Sequence, residues 1–371
     1  AYPVPRHKVE ELGAAWSEPQ NLVTCGPFRI ARGADHQPLW DPDHLLVLER
    51  NPVYYGQFSG NLQRVELRGY ESAEERLDHY ANDELDTCSF RGLRGNRDLV
   101  RQRFSGEYLS VPSLTVTYAG FNLARPPFDD ARVRRAFALA VDRAAHANIE
   151  LNGFAFPASG GLIPPGMPGH TPRLALPFDP NEARRLLAEA GFAQGSALPP
   201  LEMLAGEGNE SILTFLAAQW QKNLGVTVAW QMLDYDAFMA RMNSSQGSAA
   251  PHIFLNAWIP DYPDPDNFLR ICDALRWTRH DARAENQNLA SLLRSGAQTL
   301  AALQPLIDTA RRVTDQPARL EMYRQADRLL TEQALLLPFN YWRSHLLIKS
   351  SVKQFPTSAV RWWYWKDVII G

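Results

Sequence analysis

A strand–helix–strand succession between residues 201 and 230 is the feature that most constrains how this chain can fold. Leu201–Leu204 and Val226–Trp230 are short apolar runs of the kind that form buried strands, and Ile212, Leu216 and Trp220 recur between them at helical spacing. Two strands joined by a helix predict a parallel βαβ unit, because parallel neighbours need a long crossover. The chain is therefore predicted to belong to the α/β class.

Apolar periodicity and helix-capping residues predict further elements. Strands are predicted at residues 28–30, 45–49, 62–67, 115–122, 253–257, 335–341 and 362–370. Helices are predicted after Ser72, after Asp129 or Asp130, after Asp179, at 235–242, and in two segments between 299 and 333. The helix after Asp179 is the best marked, because Pro180 and Glu182 follow the cap and Gly191 provides a stop. The Gly- and Pro-rich residues 153–178 are predicted to form a long loop.

Size and composition limit the classes of protein that this chain can represent. Its 371 residues, 45% of them hydrophobic, are enough for two domains with apolar cores. The net charge of −3 provides no basic field for nucleic acid, and no apolar run reaches the roughly 18 residues that cross a bilayer. Cys25, Cys88 and Cys272 are too scattered for a disulfide framework, so buried free thiols are expected, although one pair could form.

Motifs for catalysis or cofactor binding are incomplete. Gly206–Ser211 follows a strand and opens a helix, as a dinucleotide-binding turn does, but Ser211 replaces its third glycine. Glu207 and Glu210 would also repel a pyrophosphate. The histidines show no metal-ligand spacing, and there is no Gly-x-Ser-x-Gly elbow. We therefore predict no enzyme activity, no cofactor and no metal site.

A proline-rich stretch, Trp258–Pro265, follows the apolar run Ile253–Ala257. Proline fixes φ and removes an amide donor, so this stretch is neither helix nor strand. Prolines also interrupt Asp261, Asp264 and Asp266, which excludes an EF-hand calcium loop. Taken alone, the stretch is either a stiff turn with solvated acids or a rigid binding loop at the end of a buried strand.

Motifs in a fixed order along most of the chain resemble one protein family. They are Pro3–His7, Trp16–Phe28, Leu48–Tyr55, Glu84–Asp86, Phe121–Arg143, Phe178–Gly191 and Trp258–Pro265. The last matches the pattern W-x-x-D-Y-P-D-P. As an ordered set they resemble the extracellular solute-binding proteins of ABC importers, specifically the oligopeptide/dipeptide-binding class, family 5.

The chain departs from the family pattern in two places. Asp83 stands where the family has glycine before Glu84-Leu85-Asp86. Residue 1 also falls inside the family pattern, so we expect a C-terminal fragment that lacks the family's N-terminal segment, or a member fused to an upstream part. Such a fragment is expected to bind ligand weakly or not at all.

The resemblance implies an α/β, two-lobed periplasmic-binding-protein-like fold of class II that closes on its ligand by hinge motion. Its first lobe, which would be incomplete, is expected at residues 1–115 with a return at 346–371, and its second lobe at 116–345. The hinge strands are expected near Tyr118–Asn122 and Phe339–His345.

The resemblance also implies a site. In peptide-binding relatives the aspartate of W-x-x-D receives the peptide's α-ammonium, and Asp261 holds that position. Trp258 and Tyr262 are expected to line the pocket. Weaker candidates on the hinge side are Tyr118, Phe121, Asn122, Tyr341 and Trp342. Asp264 and Asp266 are then expected to be solvated acids of the turn.

The implied function is substrate capture for an ABC importer of peptides or related small amine-bearing solutes. The expected partners are the solute and the permease subunits in the membrane, with no nucleic acid, and the expected state is a monomer. The location would be extracytoplasmic, in the periplasm or lipid-anchored at the cell surface. The alternative is a cytoplasmic regulator in which the same fold senses ligand behind a DNA-binding or signalling domain.

Overall fold

The structure is a computed structural model that describes residues 4–89, 93, 97–150, 153–195, 197–244, 250–270, 297–360 and 364–371. Its strands are β1 Phe28–Ile30, β2 Trp40–Asp41, β3 Leu45–Arg50, β4 Arg64–Arg68, β5 Thr87–Ser89, β6 Tyr108–Phe121, β7 Ala155–Pro157, β8 Leu201–Gly206, β9 Val228–Leu233, β10 Ile253–Trp258, β11 Leu336–Ile348, β12 Val352–Gln354 and β13 Ile369–Ile370. Its α-helices are α1 Arg6–Leu12, α2 Ala73–Ala81, α3 Arg97–Arg103, α4 Ala131–Leu139, α5 Arg143–Ala145, α6 Pro180–Glu189, α7 Glu210–Leu224, α8 Tyr235–Ser244, α9 Pro265–Leu269, α10 Ala297–Ala310 and α11 Gln316–Glu332. A π-helical turn, His146–Glu150, continues α5.

The chain divides into two compact units. One comprises Ala1–Val111 and Ser344–Gly371, and the other comprises Pro112–Arg343. The chain therefore passes from one unit to the other twice, once within β6 and once within β11.

The discontinuous unit contains an antiparallel sheet in which β3 pairs with β1, β2 and β4. β5 pairs with the end of β11, from Leu346 to Ile348. β12 pairs with β13, and Ile370 N donates to Asn61 Oδ1 over 2.9 Å, so the last residues of the chain return to this unit. Tyr80 of α2 is buried, and its hydroxyl donates to Glu107 over 2.6 Å.

The sheet of the continuous unit has the strand order β11-β6-β10-β8-β9, with β7 paired to β11. β8 and β9 are parallel in register from Leu201↔Val228 to Gly206↔Leu233, and α7 connects them. The predicted βαβ unit is therefore confirmed. β10 runs parallel to β8 on one side and antiparallel to β6 on the other.

The core of the continuous unit lies between this sheet and the helices α4 and α7. Phe128 stacks on Phe121 with ring centroids 4.9 Å apart, and Phe137 meets Phe128 edge-on. Trp220 of α7 is fully buried and donates from Nε1 to the Phe137 carbonyl over 2.9 Å. Asn223 donates to the Ala140 carbonyl in the same way. Apolar burial and satisfied polar groups together fix α7 against the end of α4.

Capping residues mark the helix starts as predicted. The Ser72 hydroxyl accepts from Glu75 N, the Asp130 carboxylate accepts from Arg132 N, and Asp179 accepts from Asn181 N and Glu182 N. These bonds satisfy amide groups that have no partner within the helix.

Two strand predictions need correction. The predicted last strand at 362–370 is wrong for most of its length, because Trp365–Asp367 is a 3₁₀ turn and, of the described residues 364–370, only Ile369–Ile370 form a strand. Trp362 and Trp363 lie outside the described residues. β6 and β11 are also much longer than the runs predicted at 115–122 and 335–341, because each continues past the boundary between the two units.

Cys25 is an exposed free thiol and Cys88 a buried one, whereas Cys272 lies outside the described residues. Among the described helices, none combines the length and the apolar character that a membrane span requires.

Candidate ligand-binding site

The candidate site lies where β10 ends and α9 begins. β10 is buried from Ile253 to Leu255, and its end pairs with β6 through Ala257↔Thr117 and Trp258↔Val116. After Trp258 the chain is largely exposed until Asp264, which caps α9 with a bond from Asp266 N of 2.9 Å. The proline-rich stretch is thus a short connection held between a sheet and a helix.

Asn267 of α9 forms hydrogen bonds to two residues of the stretch that precedes the helix. Its side chain is buried, and its Oδ1 accepts from the Trp258 indole over 2.8 Å and from the Asp261 backbone amide over 3.3 Å. Trp258 and Asp261 are therefore held by one amide oxygen. The sequence analysis missed Asn267, because an asparagine two residues after a proline has many ordinary uses in helix starts.

Asp261 itself is exposed. Within the part of the chain that the structure describes, its carboxylate has no hydrogen-bond or ion-pair partner, although its backbone amide is held by Asn267. A carboxylate with a fixed backbone and free oxygens can accept hydrogen bonds from a cation, and an ammonium group is well suited to it.

Asp264 and Asp266 are not solvated acids of a turn, which corrects the expectation for both. Asp264 Oδ1 accepts from Arg319 Nη2 over 2.7 Å, and Asp266 Oδ1 accepts from Arg311 Nε over 2.6 Å. The hydroxyl of Tyr262 donates to Asp266 Oδ2 over 3.1 Å, and the Tyr262 ring remains partly exposed. The sequence could not indicate these pairs, because both arginines lie more than forty residues further along the chain.

Three of the weaker site candidates are packed in the core. Tyr118 is buried edge-on against Phe254, and Phe121 is stacked on Phe128. The buried Asn122 side chain accepts from Ala124 N and donates to the Ala250 carbonyl. A ligand-contacting role for Tyr118, Phe121 and Asn122 stays a prediction.

The other two candidates lie on β11. Tyr341 is buried, and its hydroxyl donates to the Gly161 carbonyl over 2.6 Å. Trp342 is half-buried, and its indole donates to Thr117 Oγ1 of β6 over 2.7 Å. Their ligand contacts also stay a prediction. No group of three or more side chains suited to a metal ion occurs in the described ranges.

A solved structure of similar fold is the periplasmic oligopeptide-binding protein OppAIV of Borrelia burgdorferi. The match has a TM-score of 0.77 at 24% identity and covers 99% of this chain and 68% of that one. The fold is therefore the two-lobed α/β fold of the periplasmic binding proteins. The sequence profile described as bacterial extracellular solute-binding proteins, family 5 Middle, matches residues 1–276. The chain belongs to this family.

Two curated relatives match nearly the whole chain. The probable deoxycholate-binding periplasmic protein YgiS of Escherichia coli K12 is 27% identical over 96% of this chain and 62% of the relative. The periplasmic oligopeptide-binding protein OppA of Salmonella typhimurium is 26% identical over 94% of this chain and 60% of the relative. The chain thus spans about 60% of the length of these relatives.

Proposed function

We propose that the protein containing this chain is the substrate-capture component of an ABC importer for peptides or related small solutes that bear a free amine. The observation that favours this function is the exposed side chain of Asp261. Asn267 accepts a hydrogen bond from the Asp261 backbone amide, and the Asp261 carboxylate oxygens have no partner among the described residues. An ammonium group desolvated against this carboxylate would form a charge-assisted hydrogen bond with a fixed direction.

The relatives support the class of solute. The Salmonella relative is named as an oligopeptide-binding protein, and family membership favours a solute-binding role over catalysis. The other relative is named as a probable deoxycholate-binding protein. Deoxycholate carries a carboxylate and no amine, so Asp261 would repel it. The peptide class is therefore the better proposal.

The remaining parts of the proposal concern partners and location. The protein would act outside the cytoplasm, as a monomer, and would deliver its solute to the permease subunits of an importer. Hinge motion would take place where the chain passes between its two compact units, at Val111–Pro112 and Arg343–Ser344. The alternative of a ligand-sensing regulator finds no support among the relatives.

Replacing Asp261 in the complete protein tests this function. Asp261→Ala is expected to weaken binding of trialanine by about 30-fold to several thousand-fold, because a desolvated ammonium left unpaired costs about 2–5 kcal/mol. Isothermal titration calorimetry measures the effect. Glu207→Ala is the matched control, since Glu207 is also an exposed acid of the same unit and its loss changes the net charge equally. Equal affinity of wild type and Asp261→Ala would contradict the proposal.

A further inference from the structure

Two ion pairs connect the start of α9 to one arginine within α11 and another directly after α10. Arg319 of α11 donates to Asp264, the cap of α9, and Arg311, which follows α10, donates to Asp266 in the first turn of α9. The Arg311 and Asp266 side chains are only 13% and 14% exposed. Partly desolvated pairs of this kind constrain geometry more than exposed pairs, which water and salt screen.

Tyr323 of α11 completes the network. It is fully buried, its hydroxyl donates to Asp266 Oδ1 over 3.3 Å, and the Arg319 guanidinium lies 4.9 Å from its ring centroid. Burial raises the pKa of the Tyr323 phenol, so this group stays a neutral donor. Both oxygens of Asp266 are therefore occupied, Oδ1 by Arg311 and Tyr323, and Oδ2 by Tyr262.

The same short helix links this network to the candidate site. Asn267 follows Asp266 directly and accepts from both the Trp258 indole and the Asp261 amide. A shift of α9 would therefore move the acceptor that orients the Asp261 backbone. Because directional hydrogen bonds weaken steeply when their geometry is lost, a shift of about 1 Å is enough to impair recognition.

We propose that Arg319 and Arg311 are positioning residues for recognition of the ligand's ammonium group. They anchor Asp264 and Asp266, which hold α9, and α9 presents Asn267 to Asp261. The arginines need not touch the ligand, and their effect is specific to the end of the ligand that Asp261 binds. This inference rests on the proposed function of Asp261.

The test compares trialanine with N-acetyl-trialanine, which lacks the ammonium, by direct and displacement calorimetry on the complete protein. Arg319→Met is expected to weaken trialanine binding by about tenfold while changing N-acetyl-trialanine binding by less than about twofold. Arg319→Lys keeps the charge and a donor for Asp264 but loses the planar guanidinium over Tyr323, so it is expected to recover part of the loss. Arg328→Met is the matched control, because Arg328 is an exposed arginine of the same helix.

Each outcome separates this inference from the function on which it rests. Unchanged trialanine affinity in Arg319→Met overturns the positioning role, and so does an equal loss for both peptides, because that would be general damage to the fold. If N-acetyl-trialanine binds neither the wild type nor Arg319→Met, the trialanine affinity of Arg319→Lys decides the outcome. Failure of Arg319→Lys to recover trialanine affinity then overturns the positioning role. If Asp261→Ala leaves the preference for trialanine unchanged, the proposed function itself fails. If Asp261→Ala removes that preference and Arg319→Met does not, only the positioning role fails.

Discussion

Asp327 of α11 is a fully buried carboxyl group that organises a long loop through backbone contacts. Its Oδ1 accepts from Leu162 N over 2.7 Å, and its Oδ2 accepts from Ile163 N over 3.4 Å. Gly161 must lack a side chain here, because a Cβ would collide with the Asp327 carboxylate. Burial raises the pKa of Asp327 to about 7, and the two amide donors oppose that rise only in part.

This burial predicts a pH-dependent contribution to stability. The folded-state pKa of Asp327 lies above its ordinary value of 3.8, so between about pH 4 and pH 7 the folded protein holds a proton that the unfolded chain has released. The contribution is fully present below pH 4 and is lost as pH rises through 7. Relative to Asp327→Asn, which cannot titrate, the wild type is expected to lose ~2–4 kcal/mol of unfolding free energy over this range.

Urea denaturation of both proteins at several pH values measures this difference. Asp236→Asn is the matched control, because Asp236 is an exposed aspartate of α8 whose replacement should give no such trend. A wild-type to Asp327→Asn difference that is constant from pH 4 to pH 8 would show that Asp327 does not change protonation on folding.

At the scale of single elements, local sequence signals are sufficient to predict where a helix begins and ends, because the residues involved interact with others a few positions away in the chain. Asp179, Pro180 and Gly191 mark both ends of α6, and Gly191 has the left-handed φ of +93° that favours glycine after a helix. These signals operate within a few residues, so the sequence predicts them well. The prediction of the final strand failed because its aromatic run suggested strand pairing that, across the described residues 364–370, the backbone makes only at Ile369–Ile370.

The cap of α6 offers a prediction at this scale. Asp179→Ala is expected to destabilise the protein by ~1 kcal/mol, because the amides of Asn181 and Glu182 would lose their acceptor. Asp179→Asn keeps an acceptor oxygen and should cost only a few tenths of a kcal/mol. Thermal or urea denaturation distinguishes the two. Equal destabilisation by both variants would mean that the charge, and not the acceptor, supports the helix start.

At the scale of the whole molecule, binding of a solute to the folded chain must stabilise it. Peptide at about one hundred times its Kd is expected to add ~2.7 kcal/mol to the free energy of unfolding and to raise the thermal midpoint of the complete protein by several degrees. Differential scanning calorimetry in the presence and absence of trialanine measures this shift. The Asp261→Ala protein at the same peptide concentration should show a much smaller one. An equal shift in both proteins would indicate that the peptide binds elsewhere.

The candidate site shows how far local sequence information reaches. Trp258, Asp261 and Tyr262 were selected from one contiguous motif, and they lie together on the connection between β10 and α9. Arg319 and Arg311 could not be selected, because the first is an ordinary helical arginine and the second an ordinary arginine after a helix until folding brings them to α9. Asn267 is close in sequence, but it is its bonds to the Trp258 indole and the Asp261 amide that connect it to the site.

The sequence by itself determined what depends on neighbouring residues: the βαβ unit from Leu201 to Leu233, the helix caps at Ser72, Asp130 and Asp179, and the family to which the chain belongs. These follow from apolar periodicity, amide satisfaction and ordered motifs, all of which are readable along one stretch of chain. Only the tertiary structure decided which acids are free and which are paired. Asp261, Asp264 and Asp266 have the same chemistry, and their different roles depend on contacts with helices that begin far along the chain.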